Sequence, residues 1–185
     1  MATDTDHAAA GEPPVAPPAD EVAAAVAARF PATVVHESHG QPVVYVERSA
    51  WHDVAQFLRD EERFTQCLDV TVVDHLIDAE RALIPGVDLE RFEVVANFLS
   101  HPRNRRIRAI SELPADDATV ASIVDVYAGM NFAEREAFDM FGVVFDGHPD
   151  LSRLLMPDDW VGYPLRKDDA SGRIPVEFKE DPAPR

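Results

Sequence analysis

An α+β domain is the fold class this sequence predicts: a small antiparallel or mixed sheet with flanking helices, followed by an extended C-terminal tail. Three observations predict it. Through the middle of the chain apolar residues alternate with their neighbours, the period of a half-buried strand, whereas the bracketing segments space them three and four apart, the period of a helix. Strands grouped between helices describe α+β rather than a wound α/β sheet. The last forty residues carry six prolines and three glycines, which leaves no room there for a long helix or a central strand.

Residues 1–20 hold six alanines, four prolines, four acids and no base, too little apolar surface to offset the entropy of ordering, and predict a disordered tail. Residues 21–145 form the globular domain and 146–185 an extended tail. Asp20 can cap a first helix carrying Val22 and Val26 and stopping before Pro31. Thr33 to His36 and Val43 to Val46 are strand-like, and Gly40-Gln41-Pro42 suits a hairpin turn between them. Trp51, Val54 and Leu58 then mark an amphipathic helix from about Ser49 to Arg63. Val70 to Ile77 is rich in β-branched residues. Phe92, Val94, Ala96 and Phe98 share one face of a further strand, and the loop Ser100 to Asn104 returns it into Arg105–Ile110, with Arg106 and Arg108 on the solvent side. Asp117 is placed to cap a helix presenting Val120, Ile123, Val124 and Tyr127. A three-turn helix from Asn131 to Phe141 follows, with Asn131 and Glu134 spaced as a capping box and Gly142 as its stop.

Composition narrows the function. A formal charge of −17 over 185 residues opposes binding to phosphate backbones and anionic lipid headgroups. No apolar run approaches the roughly 18–20 residues that cross a bilayer, and the basic, apolar start of a secretory signal is missing, so a soluble cytoplasmic chain is expected. One cysteine, Cys67, forbids an internal disulfide and a four-thiolate iron–sulfur cluster, and reads as a small buried hydrophobe. The glycines form neither a Gly-x-Gly-x-x-Gly nor a Walker loop, and there is no Gly-x-Ser-x-Gly elbow. His36-Glu37-Ser38-His39 is one residue short of the zinc-binding pattern, and reads as a solvated turn.

The densest group of functional side chains lies in the helix from Asn131. Glu134 lines up with Phe138 and Phe141, a carboxylate that is costly to bury unless paired, and Arg135 stands four residues from Asp139. Acid/base chemistry by Glu134 and Asp139 lacks a nucleophile or oxyanion donor. The alternative is that these carboxylates anchor backbone or arginine groups of the tail or of a partner. The tail itself holds Leu151, Leu154, Leu155, Met156, Trp160, Val161, Tyr163 and Leu165, which need a second surface, either their own domain or a partner.

The run Glu134-Arg135-Glu136-Ala137-Phe138-Asp139-Met140-Phe141-Gly142, then Gly147-His148-Pro149-Asp150-Leu151-Ser152-Arg153-Leu154-Leu155-Met156, then Trp160 and Pro164-Leu165-Arg166-Lys167-Asp168, resembles the signature of the 30 kDa subunit family of respiratory complex I, in bacteria the C subunit of the proton-translocating NADH-quinone oxidoreductase. Val73-Asp74, Arg91 to Val95 and Arg105 to Arg108 extend the resemblance over most of residues 30–169. The family usually carries tryptophan where Phe132 stands, histidine at Tyr163 and an aromatic at Asp169.

The resemblance implies a non-catalytic subunit of the peripheral arm on the cytoplasmic face of the cell membrane. It implies no cofactor on this chain, with FMN, iron–sulfur clusters, NADH and quinone on other subunits. The implied partners are the 49 kDa-type (D) subunit, which frames the quinone site and takes the tail, and the cluster-bearing B and I subunits. It places Glu134, Arg135, Glu136, Asp139, His148, Pro149, Leu151, Arg153, Leu154, Trp160, Pro164, Leu165, Arg166, Lys167 and Asp168 at the partner interface, with Leu151, Leu154, Trp160 and Leu165 inserting and Arg153, Arg166 and Lys167 pairing with partner carboxylates or carbonyls. A homologous subunit of a membrane-bound hydrogenase is the alternative assembly. A free-standing acid/base enzyme using Glu134, Asp139 and His148 is the alternative of a different class.

Overall fold

The computed structural model describes residues 20–169, so the expected disorder of residues 1–19 and the course of residues 170–185 lie outside it. Helix α1 (Glu21–Arg29) opens as the sequence indicates, the Asp20 side chain accepting from the N–H groups of Val22 and Ala23. Strands β1 (Val34–Ser38) and β2 (Gln41–Tyr45) form a hairpin. Its turn is His39-Gly40 rather than Gly40-Gln41-Pro42, both turn residues having positive φ, 54° and 74°. Two left-handed residues match the twist of the flanking strands, and Pro42 falls inside β2 instead.

Helix α2 (Trp51–Asp60) follows a 3₁₀ turn at Arg48–Ala50 and ends before Arg63, whose φ of 61° breaks the helix earlier than its periodicity suggests. Strands β3 (Gln66–Asp74), β4 (Phe92–Ser100) and β5 (Arg105–Leu113) complete a five-stranded mixed sheet in the order β1-β2-β5-β4-β3. Only the β2–β5 pairing within it is parallel. The alternation in β4 is real: Phe92, Val94, Ala96 and Phe98 are buried on the face that receives α1 and α2 through Val22, Val26, Trp51, Val54 and Leu58. At about 1.5–3 kcal/mol for each large side chain removed from water, this one layer contact carries the fold. The opposite face has a small apolar strip, Val43, Val95 and Ile110, packed by Tyr45.

The helix expected after Asp117 does not form. Asp117 pairs with Arg48 at 2.6 Å, and residues 119–121 make β6 (Thr119–Ala121), parallel to β7 (Val144–Asp146). The N–H of Val144 donates to the Ala118 carbonyl and that of Ser122 to the Asp146 carbonyl, long-range bonds that outcompete a local apolar periodicity. Helix α3 (Asn131–Phe141) has no side-chain cap: a 3₁₀ turn at Ala128–Met130 leads into it, so Asn131 and Glu134 make no capping box. Gly142 ends α3 in the left-handed conformation, as expected.

Candidate docking site: a tail latched to helix α3

Helix α3 presents two buried acids to two different segments. Glu134 is fully enclosed, Oε1 accepting from the Ile123 N–H at 2.8 Å and Oε2 from the Ser122 hydroxyl at 2.6 Å. Burial pushes its carboxyl up to about 7, against the opposing pull of those two donors. It thus fixes the turn that leaves β6.

Asp139, one helical turn further and equally enclosed, holds the tail. Oδ2 accepts from three successive backbone N–H groups, Leu154 at 3.0 Å, Leu155 at 2.7 Å and Met156 at 2.9 Å, while Oδ1 takes the Arg153 guanidinium at 2.7 Å. Burial alone would raise this carboxyl; the N–H of Met156, the Arg153 side chain and the other two N–H groups outweigh it and hold it below the ordinary carboxylate range. Arg135 does not pair with Asp139. It grips the tail instead, donating to the Ser152 carbonyl and hydroxyl and the Arg153 carbonyl.

Beyond Met156 the tail is clamped twice more. Arg166 donates to the Phe141 carbonyl, and its guanidinium lies 4.6 Å from the Tyr163 ring centroid and 5.2 Å from that of Phe92. Leu165 donates its N–H to the Met140 carbonyl. At the end of β3, Asp74 accepts from Arg91 through both oxygens and from the Lys167 and Leu76 N–H groups, and Arg91 in turn makes two bonds to Asp168. Burial would raise the Asp74 carboxyl, but these donors hold it down to about 2. Gly142 and Gly162 are both required by shape: φ is +72° and +99°, and an added Cβ would stand 2.5 Å from the Tyr163 ring and 2.6 Å from an Asp169 oxygen.

The expected interface residues therefore divide. Glu134 and Asp139 are buried and bonded within the chain, while Arg153 and Arg166 are half-buried, Arg153 donating to Asp139 and the Gly162 carbonyl and Arg166 through Nε to the Phe141 carbonyl. Leu151 packs on the chain's own core. His148 bridges the Asn131 carbonyl and the Asp150 N–H. Arg135, Leu154, Trp160 and Pro164 are half-buried, and the side chain of Arg135 is spent as above. Glu136, Pro149, Leu165, Lys167 and Asp168 are exposed. Leu155, Val161, Leu165 and Phe132 project their apolar groups into solvent, 60%, 92%, 49% and 62% exposed. Asp74, Arg91, Tyr163 and Asp169 belong to the clamp and were missed as site residues. Asp74 carried a signal, an acid in register with buried Val70 and Val72; Tyr163 and Asp169 meet each other through the Tyr163 N–H, and both are positions at which the sequence departs from the resembled family.

This arrangement can bind and shape a chain segment: both acids are enclosed, and each of their carboxylate oxygens accepts from a donor of the same chain. Among the described residues no group of three His, Cys, Asp or Glu side chains is arranged to hold a metal ion, and no helix is long and apolar enough to cross a membrane. Cys67 is partly buried and its thiol is pushed up to about 12 by that burial, which makes it a poor nucleophile.

The family model described as the 30 kDa subunit of respiratory-chain NADH dehydrogenase matches residues 44–173. The C subunit of the NADH-quinone oxidoreductase of Saccharopolyspora erythraea is 43% identical over 143 residues, 76% of this chain and 53% of that one. The protein of the same name from Salinispora arenicola is 39% identical over 167 residues, 86% of this chain and 64% of its own. The chain thus spans between half and two thirds of the length of these curated relatives. A trypsin-resistant fragment of Nqo5 has a similar structure, with a TM-score of 0.58 and 26% identity over 70% of this chain and 96% of the fragment.

Proposed function

Because the chain belongs to the 30 kDa subunit family of respiratory-chain NADH dehydrogenase, we propose that it is a non-catalytic peripheral-arm subunit of a proton-translocating NADH-quinone oxidoreductase, held on the cytoplasmic face of the membrane through other subunits. FMN, the iron–sulfur clusters, NADH and quinone belong to those subunits, and this chain scaffolds the 49 kDa-type subunit beside the cluster-bearing ones. One observation carries the reading: residues 150–168 are shaped by Asp139, Arg135, Arg166 and Asp74 of this chain, yet leave Leu155, Val161 and Leu165 outward. A segment ordered before it binds loses less entropy on docking, and apolar groups held in water gain most by it. The interface is therefore apolar, with the cations holding the tail's shape rather than meeting the partner.

The test replaces Leu155, Val161 and Leu165 together by serine in the full chain. The fold, judged by circular dichroism and melting, stays unchanged because these side chains touch solvent. Comigration with the high-mass NADH-oxidising assembly on a native gel is lost. Normal assembly of the triple variant would overturn the proposal.

A further inference from the structure

A stable protein interface takes roughly 800 Å² from each partner, a patch roughly 30 Å across, and the three outward side chains of the tail supply only part of that. Apolar surface continues beyond the tail, and one carboxylate marks where. Asp74 accepts from the Lys167 N–H through Oδ2 at 2.9 Å and from the Leu76 N–H through Oδ1 at 3.0 Å. Two donors on one carboxylate are no more than about 8 Å apart, so the tail and the start of the loop 75–91 run side by side. Leu165 stands just before the first donor and Ile77 just after the second. Leu76 is 48% exposed, Ile77 73% and, further along the same loop, Leu83 85%.

The loop is held in shape by its own charges. Arg81 reaches back to the sheet, one of its amino groups meeting Glu93 of β4 at 2.5 Å and Glu112 of β5 at 2.6 Å, and the other donating to the Glu90 carbonyl at 2.7 Å. Glu112 accepts in turn from the Glu90 N–H. The His75 N–H donates to the Arg91 carbonyl, and its imidazole lies against Asp78 and Glu93. Arg81 and His75 thus turn toward the sheet while Leu76, Ile77 and Leu83 are left in water. The tail is built the same way, with polar groups fixing its backbone and Leu155, Val161 and Leu165 outward.

We propose that Leu76, Ile77 and Leu83 extend the apolar face of the tail and meet the same neighbouring subunit that takes residues 150–168, with one apolar surface of that partner lying across both sides of Asp74. This rests on the reading of the tail as a docking segment. A partner surface roughly 30 Å across that covers Leu165 reaches past a spacing of about 8 Å and covers the start of the loop as well. Apolar groups held outward on an ordered backbone gain by being covered and lose little entropy in the process, in the loop as in the tail. Asp74 then acts as the joint between two docking segments, holding them in register with one another from within the chain.

The experiment uses the full chain in the assembled complex, with photo-crosslinking benzoylphenylalanine in place of Ile77 in one preparation and of Val161, 92% exposed on the tail, in another. Mass spectrometry of the photolysed complexes is expected to find both positions crosslinked to one and the same neighbouring polypeptide, at yields that do not fall as salt is raised. Leu76→Ser plus Ile77→Ser should leave the chain's melting temperature unchanged and release it from the assembly at least tenfold faster on dilution. A crosslink from Ile77 to a different polypeptide, to lipid, to nucleic acid or to another part of this chain would overturn the proposal. So would no crosslink from Ile77 where Val161 gives one, a yield that falls with salt, or a double variant released at the unsubstituted rate. Those outcomes leave the tail interface standing. Failure of Val161 to crosslink in an intact complex would instead remove the tail reading, and this proposal with it.

Discussion

Asp139→Asn isolates the latch with a change of one atom. The carboxylate has four donors: the N–H groups of Leu154, Leu155 and Met156 on Oδ2 and Arg153 on Oδ1. An asparagine can keep one oxygen toward the three N–H groups, but its amide then confronts Arg153 as donor against donor. A hydrogen bond to a charged group contributes about 1.5–3 kcal/mol and a neutral one about 0.5–1.5. Losing Arg153 and weakening the shared oxygen therefore costs about 3–4 kcal/mol on that scale, and water reaching the half-exposed tail lowers it to about 2–3 kcal/mol. Because this is local opening, hydrogen exchange is the assay: the Leu154, Leu155 and Met156 amides should exchange roughly 30- to 150-fold faster, with the β4 and β5 amides unchanged. The pH dependence follows the same sign. A carboxyl held below its unfolded value contributes stability that is present above about pH 3.9 and is lost only as pH falls through its lower folded value, so the wild-type latch persists into acid where ordinary carboxylates have protonated. Wild-type exchange rates for those three amides in the variant would refute the latch.

Glu134→Gln should flatten the dependence of stability on pH. With its carboxyl at about 7 in the fold and near 4.3 unfolded, Glu134 makes the native state bind more protons between those values, so stability falls as pH rises from about 4.5 to 7. Calorimetric melting across that window should show a shallower fall in the variant, not a flat line, because burial also raises Glu112 to about 7; parallel curves would contradict the assignment. Gly142→Ala combines a left-handed backbone, costing about 1–2 kcal/mol, with displacement of the Tyr163 ring. Melting should drop by several degrees and the amides of residues 163 and 165–168 should lose protection, whereas a drop in melting alone would place the strain in α3 only.

Where the determinants are local, they were legible. The Asp20 cap, the alternation in β4, the β4–β5 hairpin and the extent of α3 with its Gly142 stop each depend on neighbours a few residues away. The failures share a different cause. The apolar spacing from Val120 to Tyr127 is helical, but the partners that decide its backbone, Asp146 and Glu134, are 24 and 11 residues away from Ser122 and Ile123. Asp74, Arg91 and Asp168 form one network across separations of 17 and 77 residues, and nothing in the local sequence announces it. The signature residues of α3 and the tail lie in the segments that form the latch, yet the direction in which their charges point was set by enclosure, which a sequence does not display.

The parallel pairing of β2 with β5 has a consequence for how the chain is made. The β1–β2 hairpin is complete by Tyr45, but its partner strand spans Arg105–Leu113, so the first hairpin stays an unpaired edge until some sixty residues more have been synthesised. Long-range pairing of this kind is slow to form and leaves strand edges open in the meantime. The latch comes later still, since Asp74 waits for Lys167. A chain interrupted before that point would carry a finished sheet without a shaped tail, and residues 150–168 would be the last of the described residues to acquire their form.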